Sequence, residues 1–296
     1  MIIVAEDAES NNAEPPQDSR EFHRRRFAAA QRPNFDCVIG NIVTGAGWLG
    51  ASLDTVLAAT LSLEPDASPV WNLESSSHRQ LEAARAVPWL SITETNDKIL
   101  PLPGCAAVLV GDGNDMPWSP YHGNESLEHS FLVANSDGEF HAFDSYEAHT
   151  DWGVARPVAI EPGDWEKVPI TRTLGMRRSP DSQNGGPVRK AHVADGTVLR
   201  AYMQAVETGD QPLSQLAIDT WLMARGRLVN LAAVASSEND LRTQIAESQA
   251  AWASAAEFVY MALRRARRGR PVPDSYKELV EAAIALDVAV AEHWEN

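Results

Sequence analysis

The sequence predicts an α+β fold with an all-helical C-terminal part, and three observations predict it. Apolar residues recur at helical spacing over residues 46–63. The pattern turns to short strand-like apolar runs between residues 106 and 170, and beyond residue 190 almost everything returns to helical spacing. With 44% hydrophobic residues in a chain of 296, there is apolar material enough for a sizeable core.

Residues 1–30 open on an acidic, polar stretch holding Pro15 and Pro16, and read as a flexible N-terminal segment. Leu49, Leu53, Val56, Leu57 and Leu61 then mark a helix over 46–63. Residues 37–43 form either an earlier helix or its first turns. Residues 78–86 read as a short helix, and Pro101, Pro103 and Gly104 break the chain. Residues 106–110, 130–134 and 139–143 are strands. The turn-forming stretch Asn135, Ser136, Asp137 and Gly138 makes the last two a β-hairpin. Residues 154–160 and 166–170 are weaker strands. Residues 179–187, rich in Ser, Pro, Asn and Gly, read as a linker, and helices follow over 197–208, 213–235, 238–268 and 274–294. The domain expectation is 31–178 for an α+β catalytic unit and 190–296 for a helical one.

A net charge of −16 argues against nucleic acid and anionic membrane as general partners. Two cysteines cannot build a disulfide scaffold. The N-terminus lacks a basic, then apolar leader, and no apolar run approaches the roughly 20 residues of a membrane span. These readings predict a soluble, cytoplasmic protein. No Cys and His pair has zinc-ligand spacing, and Gly45, Gly47, Gly111 and Gly113 make no phosphate loop, so no metal or bound cofactor is expected.

Chemistry concentrates at Cys37. A helix starting at Asp36 or Cys37 places the thiol at the positive end of a helix dipole, which favours the thiolate that nucleophilic catalysis uses. Gln31, six residues upstream, offers an amide to an oxyanion on the carbonyl that Cys37 attacks. His129 opens one hairpin strand and Asp144 closes the other. With the hairpin tip at Ser136 and Asp137 they face each other. With the tip at Asp137 and Gly138 they are diagonal neighbours on one face, and a three-residue loop separates them. In the first two registers the carboxylate orients the imidazole, which then serves Cys37 as base.

Gln31, Cys37 before a helix, His129 opening a strand and Asp144 closing the next, in that chain order, resemble the papain-like cysteine enzymes over residues 31–170. The stretch from Asn34 to Asn41 is more similar to acyltransferases of antibiotic pathways, such as the butirosin acyl-transfer family. The helical C-terminal half resembles the lincosamide condensing enzymes. Asp36 and Val38 flank the cysteine where many proteases carry Gly or Ser and an aromatic, and the orienter is Asp rather than Asn. The resemblance implies a papain-like fold and an amide-forming acyl transfer. The acyl group would come from a carrier protein's 4'-phosphopantetheine thioester and pass to an amine such as an aminosugar. Cys37 would be nucleophile, His129 base, Asp144 orienter and Gln31 oxyanion donor. The alternatives are a cysteine protease or amidase, and a non-catalytic binding protein on the same scaffold.

Asn41, Trp48, Asp112, Tyr121, His122 and Glu128 are candidate substrate contacts, the acidic members suiting a cationic acceptor. His141 reads as structural, His122 and His149 as pocket candidates, and Cys105 as core. Arg264, Arg265, Arg267, Arg268 and Arg270 form the one dense basic run, either a solvated helix end or a dock for an acidic carrier protein. The long Ala-rich helix also offers a face for homodimer pairing.

Overall fold

A computed structural model describes residues 27, 36–67, 70–73, 75–150, 153–179, 189–235 and 238–294. It is a mixed α+β structure, with an antiparallel sheet and a C-terminal helical part. Helix α1 (Cys37–Trp48) starts at an Asp36 N-cap, whose carboxylate accepts from Ile39 N at 2.8 Å. Ile39, Ile42, Val43 and Ala46 are its core face.

The single helix expected over 46–63 is a correction. α1 stops at Trp48, Gly50 turns the chain at φ 77°, a short α2 (Asp54–Ala58) follows, and residues Thr60–Leu63 are strand β1. All four β1 residues are buried, and a short run apolar enough to be buried on every side does not distinguish helix from strand by period. Helix α3 (Ser75–Arg85) agrees with expectation to within a few residues.

Strands β2 (Leu90–Thr95), β3 (Ala106–Asp112), β4 (Glu128–Ser136) and β5 (Glu139–Asp144) come next. β6 (Ala148–Thr150) and β7 (Gly153–Ala155) pair with each other. β8 (Val158–Ile160), α4 (Pro162–Trp165) and β9 (Ile170–Arg178) complete this half. The main sheet is antiparallel in the order β2-β9-β3-β4-β5-β8. The strand expected over 166–170 instead begins at Ile170, just after Pro169, which has no N–H to give a ladder. The 154–160 strand divides around Pro157 for the same reason.

One face of the sheet carries Val108, Leu132, Ala134 and Leu174 against α1. The other carries Leu109, Phe131 and Val133 against Trp165 and Met116. Gly45 lies where α1 meets the sheet, in a space filled by the ends of side chains from β4 and β9. A Cβ there would displace the Met176 methyl and lie 2.9 Å from Leu132 Cδ1. Phe27 is buried and stacks on Phe143 with ring centroids 5.1 Å apart, so this residue of the segment read as flexible is anchored in the core.

After β10 (Lys190–Val193) come α5 (Gly196–Thr208), α6 (Leu213–Asn230), α7 (Asn239–Arg267) and α8 (Ser275–Trp294). α6 is shorter than expected and runs on into a 3-10 turn over Leu231–Ala233. Tyr202, Leu216, Met223, Trp252, Val259 and Val280 fill the helical core. The two halves share material. β1 pairs in parallel with β10, Leu63 packs in the helical core, and Leu61 packs with Ile245, Val290 and Trp294. No described helix is long and apolar enough to cross a membrane.

Candidate active site

Cys37 is the first residue of α1, half-buried, with the helix dipole behind it. α1 lies on the sheet above β4 and delivers the thiol to the end where that strand begins.

The hairpin decides where the partners stand. Asp137 and Gly138 both take positive φ, 53° and 97°, which makes a two-residue turn of the kind matched to strand twist. Its register pairs Ser136 with Glu139 and Leu132 with Phe143. His129 and Asp144 are then diagonal neighbours on one face, the second of the registers open to the sequence. His129 Nε2 meets Asp144 Oδ2 at 2.8 Å, which leaves Nδ1 as the nitrogen that can serve the neighbouring Cys37 thiol. Thiol, imidazole and carboxylate therefore stand as neighbours in the order a nucleophile, base and orienter require.

Burial alone would push the imidazole towards its neutral form, since only 1% of His129 is exposed. The charge and hydrogen bond of Asp144, joined by those of Cys37, override it and hold His129 up at about 10. Asp144 is itself pinned on both oxygens. Trp118 Nε1 donates to Oδ2 at 3.1 Å and Tyr146 N donates to Oδ1 at 3.0 Å.

Aromatic rings close around the imidazole. Tyr121 and Tyr146 lie edge-on to it at 6.0 and 5.1 Å, and their hydroxyls meet at 3.3 Å. Desolvation raises both phenol pKa values, so the hydroxyls stay protonated and available as donors. The helical half adds Trp221, 6.2 Å from Tyr146, and Arg225, which stacks over Trp221 at 4.3 Å and donates to Glu147 O at 2.6 Å. Sequence reading missed Trp118, Tyr146, Trp221 and Arg225. An aromatic residue reads equally as core, and only the position of Tyr146 two residues after Asp144 was a local signal.

Of the expected substrate contacts, Tyr121 stands at the site. Asn41 is a correction: it is fully buried, with its carboxamide engaged by Cys37, Ser130 and Ser145. Trp48 is another, because its ring packs in the core behind α1. Asp112 spends its carboxylate on Asn114 N at 2.9 Å, Leu127 N at 3.1 Å and the Ser126 hydroxyl, fixing the loop before His129 instead of facing a ligand. Glu128 leaves β4 on the face opposite His129, exposed and paired with Arg172 at 2.7 Å. His122 is exposed and bonds Asn114 O through Nδ1 at 2.8 Å. Gln31 lies outside the described residues.

Arg264, Arg265 and Arg267 occupy the last turn of α7, where positive charge suits the dipole, and Arg268 and Arg270 continue the run; all five are exposed. Among the described residues no cluster of three or more His, Cys, Asp or Glu side chains is arranged to hold a metal ion. Comparison of the chain with known protein families and with curated proteins gives no match.

Proposed function

We propose that this chain is a cysteine-dependent acyltransferase of papain-like fold that forms amide bonds. The observation that carries the reading is the half-buried Cys37 thiol beside the buried His129–Asp144 pair. A nucleophile-bearing helix laid on an antiparallel sheet that supplies the base and orienter supports the papain-like assignment.

In the first half-reaction His129 takes the thiol proton and Cys37 sulfur attacks the carbonyl of a carrier-bound thioester. The tetrahedral intermediate places its oxyanion at the N-terminus of α1, within reach of the Cys37 backbone N–H. The carbon–sulfur bond to the phosphopantetheine arm breaks, and His129 returns the proton to the departing thiol. In the second half an amine attacks the acyl-enzyme, His129 removes the amine proton, and the proton passes to Cys37 as the carbon–sulfur bond breaks. An amide and the free enzyme result. The aromatic enclosure of His129 keeps water from competing with the amine, which supports transfer over hydrolysis. The exposed arginines at the end of α7 suit an acidic carrier protein.

Intact-protein mass spectrometry with acyl-loaded carrier proteins tests the reading. The expected result is a gain of one acyl group on the wild type, discharged by an aminosugar and absent in Cys37→Ala. An adduct that survives in Cys37→Ala overturns the nucleophile. Discharge by water alone reassigns the enzyme as a hydrolase.

A further inference from the structure

We propose that Asn41 is the positioning residue of the triad, its carboxamide standing in for one rung of the β4–β5 ladder. This rests on the reading of Cys37 as the nucleophile. A two-residue turn makes the pairs Ser136–Glu139, Ala134–His141 and Leu132–Phe143 the hydrogen-bonded ones of the hairpin. The next such pair in the same register is Ser130 and Ser145, and there the ladder has already ended.

Asn41 takes both groups that would have bonded each other. Its Nδ2 donates to Ser130 O at 2.9 Å, and its Oδ1 accepts from Ser145 N at 3.1 Å and from Ser145 Oγ at 2.9 Å. Nδ2 also donates to Cys37 O at 2.8 Å, one helical turn back. One fully buried amide thus holds Cys37 itself, the residue after His129 and the residue after Asp144.

The insertion answers a problem of faces. α1 packs on the face of β4 that carries Leu132 and Ala134, whereas strand alternation sends His129 to the other face. Closed strands about 4.8 Å apart would wall the thiol off from the imidazole. With the carboxamide between them, β4 and β5 part at the level of the triad, and Cys37 reaches His129 through the opening.

The test is the rate of Cys37 alkylation by iodoacetamide, followed by peptide mapping so that Cys105 is counted separately, at pH 6 relative to pH 9. A thiol paired with an imidazolium keeps its rate at pH 6, and an ordinary thiol loses it. Asn41→Ala, folded by circular dichroism, is expected to lower the ratio at least tenfold, towards that of His129→Ala. Asn41→Asp keeps the volume and the acceptor for Ser145 but removes both donors. It is expected to show the same loss, and it decides the matter if the alanine variant does not fold. A folded Asn41 variant with the wild-type ratio, while His129→Ala loses it, overturns the positioning role. A wild-type ratio in His129→Ala overturns the reading of Cys37 beneath it.

Discussion

Two buried aspartates divide the labour of this molecule. Asp144 in the sheet half accepts from His129 and from the indole of Trp118. Asp287 in the helical half accepts from Arg227 at 2.7 and 2.5 Å and from the indole of Trp252 at 2.9 Å. The carboxylates are dressed alike, yet their cations differ in what lies beyond. Arg227 gives two further donors to Ser62 O at 2.7 Å and Asn230 Oδ1 at 3.2 Å, both fixed acceptors. His129 has the Cys37 thiol as a neighbour, and a thiol proton can move. A guanidinium never yields its proton in this setting, whereas an imidazole trades one readily. The same burial therefore makes a rivet in one half and, on the proposed reading, a relay in the other.

The comparison breaks most visibly at Asp144. Asp144→Asn keeps the shape but removes the charge that holds the proton on His129, and turnover is expected to fall on the order of 10²-fold with the fold intact. Steady-state kinetics beside a melting curve checks this; retention of more than a tenth of the activity would make the carboxylate structural. Arg227→Met should do the reverse, costing stability of about 3–5 kcal/mol because Asp287 is left buried without its cation. Denaturant unfolding measures that loss, and adding Asp287→Leu should restore only part of it, because Trp252 Nε1 and Ser248 Oγ then lose their acceptor.

The smallest effect concerns pH. His129 carries a raised pKa in the fold, so its contribution is complete below the unfolded value near 6.5 and is lost as pH climbs through about 10. The folded state keeps a proton that the unfolded chain releases across that window, so stability falls as pH rises. Melting temperature should decline from pH 6.5 to 10 in the wild type and less steeply in Asp144→Asn. Equal slopes would deny the coupling.

Much of this was legible in the residues. The helices of the C-terminal half match expectation because their apolar stripes repeat every three or four residues over long stretches. The hairpin was legible from its turn residues, and with it the pairing of His129 and Asp144, although only the positive φ of Asp137 and Gly138 selects the register. β1 and β10 were not legible. Each has four residues, their partners are distant in sequence, and a parallel pair leaves no local turn to read. Asn41, a candidate substrate contact by sequence, proves to be a buried structural amide. A buried amide that bridges strands has the same sequence signature as a substrate contact. Its i+4 spacing from Cys37 and its poor fit to a helix interior were the available hints.

The β1–β10 pairing bears on how the molecule can be divided. Asn230 donates to Ala58 O and Thr60 O at 2.8 and 3.0 Å, and Arg227 donates to Ser62 O, so the helices satisfy carbonyls that belong to the other half. A cut between residues 178 and 190 would leave each fragment with buried polar groups whose partners were on the other. Recombination at that point would not exchange a module, and the two stretches must be inherited, expressed and engineered as one piece.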